Sequence, residues 1–176
     1  MTNHDTTLTR FNAMEKAAAV AEMEKLCGSK RWCESMADSR PYTERSSIHE
    51  AAGKAFDAVA DKDWLEAFSH HPRIGDINSL RLKYAGNRDW SLGEQAGAVG
   101  VSEGVLGALA KGNVDYANQF GFQFIVCATG KTASEMLELL LARLNNAKAS
   151  ELKIAAAEQR KITHLRIDKW SLENNE

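Results

Sequence analysis

Apolar residues recur along most of this chain at the three- and four-residue spacing of an amphipathic helix, and alternation typical of a strand is nearly absent. An alanine-rich periodic segment from about Asn12 to Leu26 predicts a first helix, with Asn12 or Thr9 as cap and Gly28 as stop. Lys30 to Ala37 predicts a second, ended before Pro41. Behind Ser46 and Ser47, the residues Ile48, Ala51, Ala52, Ala55, Phe56 and Val59 keep helical spacing. Asp61 or Asp63 caps a short helix carrying Trp64, Leu65 and Phe68, stopped ahead of Pro72. Asp76 to Asp89 reads as a surface loop, and Trp90 to Gln95 opens a new helix. Ser102 starts another through Lys111, ended by Gly112-Asn113, with a short segment onward to Gln119. Thr132 and Ser134 cap a helix whose Leu137, Leu140, Leu141 and Leu144 share one face. The last and longest begins near Ser150 and runs to about Trp170, with Leu152, Ala155, Gln159, Ile162 and Leu165 on one stripe.

One stretch departs from this pattern. Phe120 to Gly130 is rich in aromatic and β-branched residues, but no second such run exists to pair with it. A buried extended or helical segment is therefore expected, and the fold class is all-α: a compact multi-helix bundle. At 176 residues, without repeats or linkers, a single domain over 1–176 is expected. Residues 1–8 and 171–176 are expected to be loose tails.

Composition narrows the function classes. A net charge of −2, with Lys and Arg dispersed, gives no reason to expect nucleic acid or a membrane surface as partner. No apolar run approaches the length of a membrane span, and Met1 to Arg10 is polar. Cys27, Cys33 and Cys127 form no C-x-x-C pair and suit a reducing, cytoplasmic setting. Leu172 to Glu176 carries no peroxisomal ending.

Candidate chemistry centres on His70-His71-Pro72-Arg73-Ile74-Gly75-Asp76. Pro72 keeps His71 out of continued helix and so places an imidazole on a stiffened loop. A helix-end histidine and a catalyst are comparable readings of His71; for His70 the helix-end reading is preferred. Ser91-x-x-Glu94 has the spacing of a capping box, and its helix start, with Gln95, is also a place for an anion. Arg166 flanks the apolar stripe of the last helix, where a guanidinium can clamp a carboxylate; Arg160 is the alternative, and Arg143 is read as structural. His70, His71, Asp76 and Glu94 make a poor metal set, because adjacent histidines on extended chain point apart. No H-E-x-x-H motif, phosphate loop, nucleophile elbow or dinucleotide fingerprint is present. The residues alone reach a helical domain with a small anion site and no particular reaction.

His71-Pro72-Arg73-Ile74-Gly75-Asp76, Ser91-Leu92-Gly93-Glu94-Gln95, Phe120 to Lys131 and Glu158 to Ile167 together, in this order, resemble the OHCU (2-oxo-4-hydroxy-4-carboxy-5-ureidoimidazoline) decarboxylase family. The resemblance implies an all-α, usually homodimeric enzyme of urate degradation. It removes the substrate's carboxylate as CO2 to give (S)-allantoin and uses no cofactor and no metal. Carried over by position, His71 is the catalytic proton donor, assisted by Glu94. Pro72, Ser91, Leu92, Gly93, Gln95, Ile125, Val126, Cys127, Ala128, Thr129 and Arg166 bind substrate. The alternatives are a non-catalytic helical binding protein for a ureide or purine metabolite, and a metal-dependent hydrolase.

Overall fold

Asp5 starts the first helix, α1 (Thr6–Ala13): its carboxylate accepts from the backbone N–H groups of Thr7 and Leu8. The computed structural model describes residues 5–72, 77, 78, 80 and 102–172, and among these the chain forms eight helices and no strand. Met14 turns the backbone extended (φ −68°, ψ 145°), and α2 (Lys16–Glu24) follows. The single helix expected from Asn12 is therefore two, and the expected N-terminal tail is helical from residue 6, with Leu8 only 2% exposed. At the other end, the Leu172 N–H donates to Thr7 Oγ1 and the Leu172 carbonyl accepts from Arg10, so the chain is tied down at 172. Residues 6–8 and Leu172 are thus held where loose chain was expected, and 1–4 and 173–176 lie outside the described residues.

The helices pack as two compact units. The first takes in residues up to 71, 125–127 and from 154 onward; the second takes in 72–124 and 128–153.

In the first unit α3 (Lys30–Asp38) packs against α2, α4 (Arg45–Asp57) and α5 (Asp61–Ser69). Ser29 caps α3, accepting from the Trp32 N–H. Trp32 stacks on Phe56 of α4 (5.2 Å), which stacks on Trp64 of α5 (5.1 Å). Each such ring removes roughly 150–250 Å² from water, so this ladder anchors the three helices. α4 and α5 lie close to where the sequence places them, but their N-caps are Glu44 and Ala60; the expected cap residues Ser47 and Asp63 sit at the third helical position instead, each accepting from the backbone N–H of the N-cap residue. α5 stops at His70, ahead of Pro72, as expected.

In the second unit α6 runs unbroken through Glu103–Phe120. Gly112 does not stop it: a Cβ there would lie 2.5 Å from Leu140 Cδ2, so the missing side chain admits the neighbouring helix. Gly121, at φ +81°, ends the helix instead. α7 (Ala133–Arg143) opens with the predicted cap, Thr132 and Glu135 closing each other's backbone donors. Its buried face is Ala133, Met136, Leu140 and Arg143, a rotation away from the predicted leucine face; Leu141 is 51% exposed. Arg143 takes that place because Glu151 and Tyr116 are its partners. The Phe120–Gly130 stretch leaves α6 and continues without strand pairing, as expected.

The last helix, α8 (Lys148–Lys169), buries Glu151, Ala155, Gln159, Thr163 and Ile167, a row at four-residue spacing. Leu152, Ile162 and Leu165 of the predicted stripe are only partly buried. Three of the five buried positions are polar, so the row is invisible to an apolar pattern.

Candidate active site

His71 follows α5 on the short stretch that Pro72 keeps out of the helix, its N–H bonded to the Phe68 carbonyl at 3.1 Å. Its Nε2 lies 2.6 Å from Gln159 Oε1 of α8, within hydrogen-bond distance. The Gln159 Nε2 donates to Thr163 Oγ1 at 3.2 Å, and Thr163 in turn shares a side-chain hydrogen bond with Cys27. Gln159, Thr163 and Cys27 are each fully buried. Burial displaces the His71 pKa below its usual value; the bond to Gln159 opposes this, and the charges of Arg166 and His70 reinforce it. His71 is thus neutral at neutral pH.

His71 and Arg166 line one cleft of about 490 Å³ together with Glu24, Lys25, His70 and Lys169. Cationic side chains outnumber the single carboxylate there, which suits an anionic occupant. Arg166 spends one Nη1 donor on the Leu26 carbonyl (3.0 Å), which holds the guanidinium against the loop between α2 and α3. Gly28, in that loop, has no Cβ because His70 fills the space: an added carbon would lie 2.3 Å from the His70 Cγ. His70 therefore forms a wall of the cleft and sits at the helix end, as expected from sequence.

The sequence left Arg160 as an alternative to Arg166. Arg160 donates to Asp57 at 2.8 Å and lies over the rings of Phe56 and Trp64, so it completes the aromatic ladder and is absent from the cleft lining. Pro72 is exposed. Ile125 is buried, and the Cys127 N–H donates to Glu158 Oε2 of α8 at 2.7 Å, so that backbone donor already has an acceptor. Val126 is partly buried, Ala128 accepts from the Lys131 N–H, and Thr129 is exposed. Ser91, Leu92, Gly93, Glu94 and Gln95, like Arg73 to Asp76, lie outside the described residues. Gln159 was placed on the buried stripe by sequence but given no chemistry. Its signal was an amide among apolar residues, since a buried amide needs partners. Among the described residues, no group of three or more His, Cys, Asp or Glu side chains is placed to hold a metal ion, and no helix is long and apolar enough to cross a membrane.

Comparison with known proteins bears on this site. The chain is 43% identical over 152 residues to the uric acid degradation bifunctional protein TTL of Arabidopsis thaliana, covering 84% of this chain but 46% of that protein. It thus spans about half the length of that relative. It is 29% identical over 130 residues to the 2-oxo-4-hydroxy-4-carboxy-5-ureidoimidazoline decarboxylase of Amia calva, covering 73% of each. Its fold matches a crystal structure of OHCU decarboxylase in the presence of (S)-allantoin, with a TM-score of 0.69 and 36% identity over 89% of this chain and 97% of that one. The OHCU decarboxylase family model matches residues 12–168, and with these relatives it establishes that the chain belongs to that family.

Proposed function

We propose that this chain decarboxylates 2-oxo-4-hydroxy-4-carboxy-5-ureidoimidazoline to (S)-allantoin, with His71 carrying the proton and Arg166 holding an anionic group. The observation that carries the reading is the pairing of His71 and Arg166 in one cationic cleft of a chain in this family. The bond from ring carbon to carboxylate breaks and CO2 leaves. The bonding pair forms a carbon–carbon double bond as the adjacent C=N bond of the ring, the electron sink, opens; its nitrogen takes up a proton from water, and an enol results. The enol loses its hydroxyl proton and gains a proton on the neighbouring carbon, so one proton replaces the carboxylate. The substrate supplies its own sink, and the scheme needs neither cofactor nor metal.

A neutral His71 suits both halves of this exchange: it accepts the hydroxyl proton and, as imidazolium, returns it to one face of the carbon. Delivery to one face sets the S configuration. In this reading Glu94 assists His71. By the family motifs Pro72 lines the substrate, Ser91, Leu92, Gly93 and Gln95 hold the ring and ureido groups, the 125–129 segment offers backbone groups, and the protein works as a cytoplasmic homodimer. Sedimentation of the purified chain reads the dimer directly.

The test generates the substrate from urate with the two preceding activities and follows circular dichroism. The expected result is faster formation of optically active allantoin on adding this protein, lost by about a hundredfold or more in His71→Asn. Racemic allantoin at the uncatalysed rate, with or without ligand binding, refutes catalysis.

A further inference from the structure

The buried row of α8 points to a residue whose work is done through another. We propose that Gln159 is a positioning residue that fixes the ring tautomer of His71: its Oε1 takes the Nε2–H and leaves Nδ1 as the atom that exchanges protons with a molecule in the cleft. The proposal rests on the catalytic reading of His71 given above.

The geometry has three parts. The His71 Nε2 to Gln159 Oε1 distance of 2.6 Å is a short, direct contact. The amide is oriented from its other end, where Nε2 donates to Thr163 Oγ1 at 3.2 Å and Thr163 shares a side-chain hydrogen bond with Cys27. The Gln159 amide thus spans His71 and Thr163, its oxygen facing the ring and its nitrogen the hydroxyl. None of Cys27, Thr163 and Gln159 has access to water, so no solvent molecule can substitute for a lost partner.

The chemistry explains why an amide stands here. A neutral imidazole carries one N–H, and the partner of one nitrogen decides which nitrogen is left basic. A carboxylate at the position of Gln159 would also hold Nε2–H, but it would stabilise the imidazolium and keep the ring charged. An amide accepts the same hydrogen bond without a charge, so the ring keeps its tautomer and stays neutral beside Arg166 and His70. The same design, a fixed second nitrogen, orients histidines that bind metals. Here it would serve proton transfer.

The test uses protein labelled with 15N-histidine, the His71 ring signals being identified by their loss in His71→Asn. Wild type is expected to show the Nε2–H tautomer. Gln159→Met, close in volume, is expected to mix the tautomers and lower kcat about tenfold while leaving KM within about twofold. Gln159→Glu is expected to keep the Nε2–H tautomer and move the acidic limb of the pH–rate profile to higher pH. Thr163→Val, which releases only the far end of the amide, is a second variant should the others fold poorly, and it is expected to mix the tautomers in part. A wild-type Nδ1–H tautomer, or variants with unchanged tautomer and pH profile, overturns the proposal. The nuclear resonance arm needs no turnover, so an inactive wild type would refute the catalytic reading and leave the tautomer question answered separately.

Discussion

Gly28 and His70 are packed so closely that a methyl group on Gly28 would overlap the His70 ring, with 2.3 Å to Cγ and 2.5 Å to Cβ. The clash is with the base of the side chain, which cannot swing aside. Gly28→Ala is therefore expected to destabilise the protein by about 1–3 kcal/mol and to displace His70 into the cleft. Urea denaturation reads the first effect and a raised KM reads the second. Unchanged values for both would mean that the loop between α2 and α3 yields without cost.

Arg166 acts on the site in two ways that substitution can separate. Arg166→Lys keeps the charge but loses the planar fork, so KM should rise about tenfold with the pH–rate profile in place. Burial is the main depressor of the His71 pKa and Arg166 adds to it; Arg166→Met removes that added charge, so the acidic limb should also move to higher pH. A limb that stays put in Arg166→Met would show that the arginine field does not reach His71.

The second unit depends on a buried ion pair. Arg143 donates to Glu151 from Nε at 2.6 Å, Tyr116 donates its hydroxyl to the same carboxylate, and Asn146 takes the other oxygen at 2.8 Å. Glu151 is fully buried, so Arg143→Ala would strand a charge without solvent and is expected to cost about 3–5 kcal/mol. A loss below about 1 kcal/mol in denaturant would show that water reaches Glu151.

Stability should fall in mild acid, and the sign follows from two histidines. His71 and His164 both have native pKa values lowered chiefly by burial, with Arg166 and His70 adding to the effect at one and His49 and Arg160 at the other; Gln159 and Asp168 oppose it. The unfolded chain takes up these protons near the ordinary imidazole value of about 6.5, and the native chain does so only at lower pH. Stability is thus complete above about pH 6.5 and declines as pH falls from there through the native values. Denaturation midpoints at several pH values would show the decline, and its absence would refute the assignment.

How much of this was legible in the sequence depends on the kind of signal. The caps Ser102 and Thr132 and the end of α5 before Pro72 were legible, whereas Ser47 and Asp63 proved to lie inside the first turn of the helices they were expected to cap. Gly112 was misread because a helix stop and a helix contact use the same residue for different reasons, and only Leu140 distinguishes them. The face of α7 was misread because Arg143 counts as polar until Glu151 is known to meet it. At the site, the family motifs brought His71 and Arg166 to notice, and the structure places both on one cleft. Gln159 carried no motif. Its meaning appears only once His71 stands 2.6 Å away, across a long sequence separation.

The polar row of α8 also sets the terms for engineering this protein. Gln159 and Thr163 occupy fully buried positions where leucine or valine would be the default choice for a firmer core. Apolar replacement of the two together, which removes donor and acceptor as a pair, is a route to a higher melting temperature, and it would cut the hydrogen-bond row that ends on His71. Thermal robustness and turnover therefore compete for the same two side chains, and a search that selects on melting temperature alone would drift toward well-folded, idle variants.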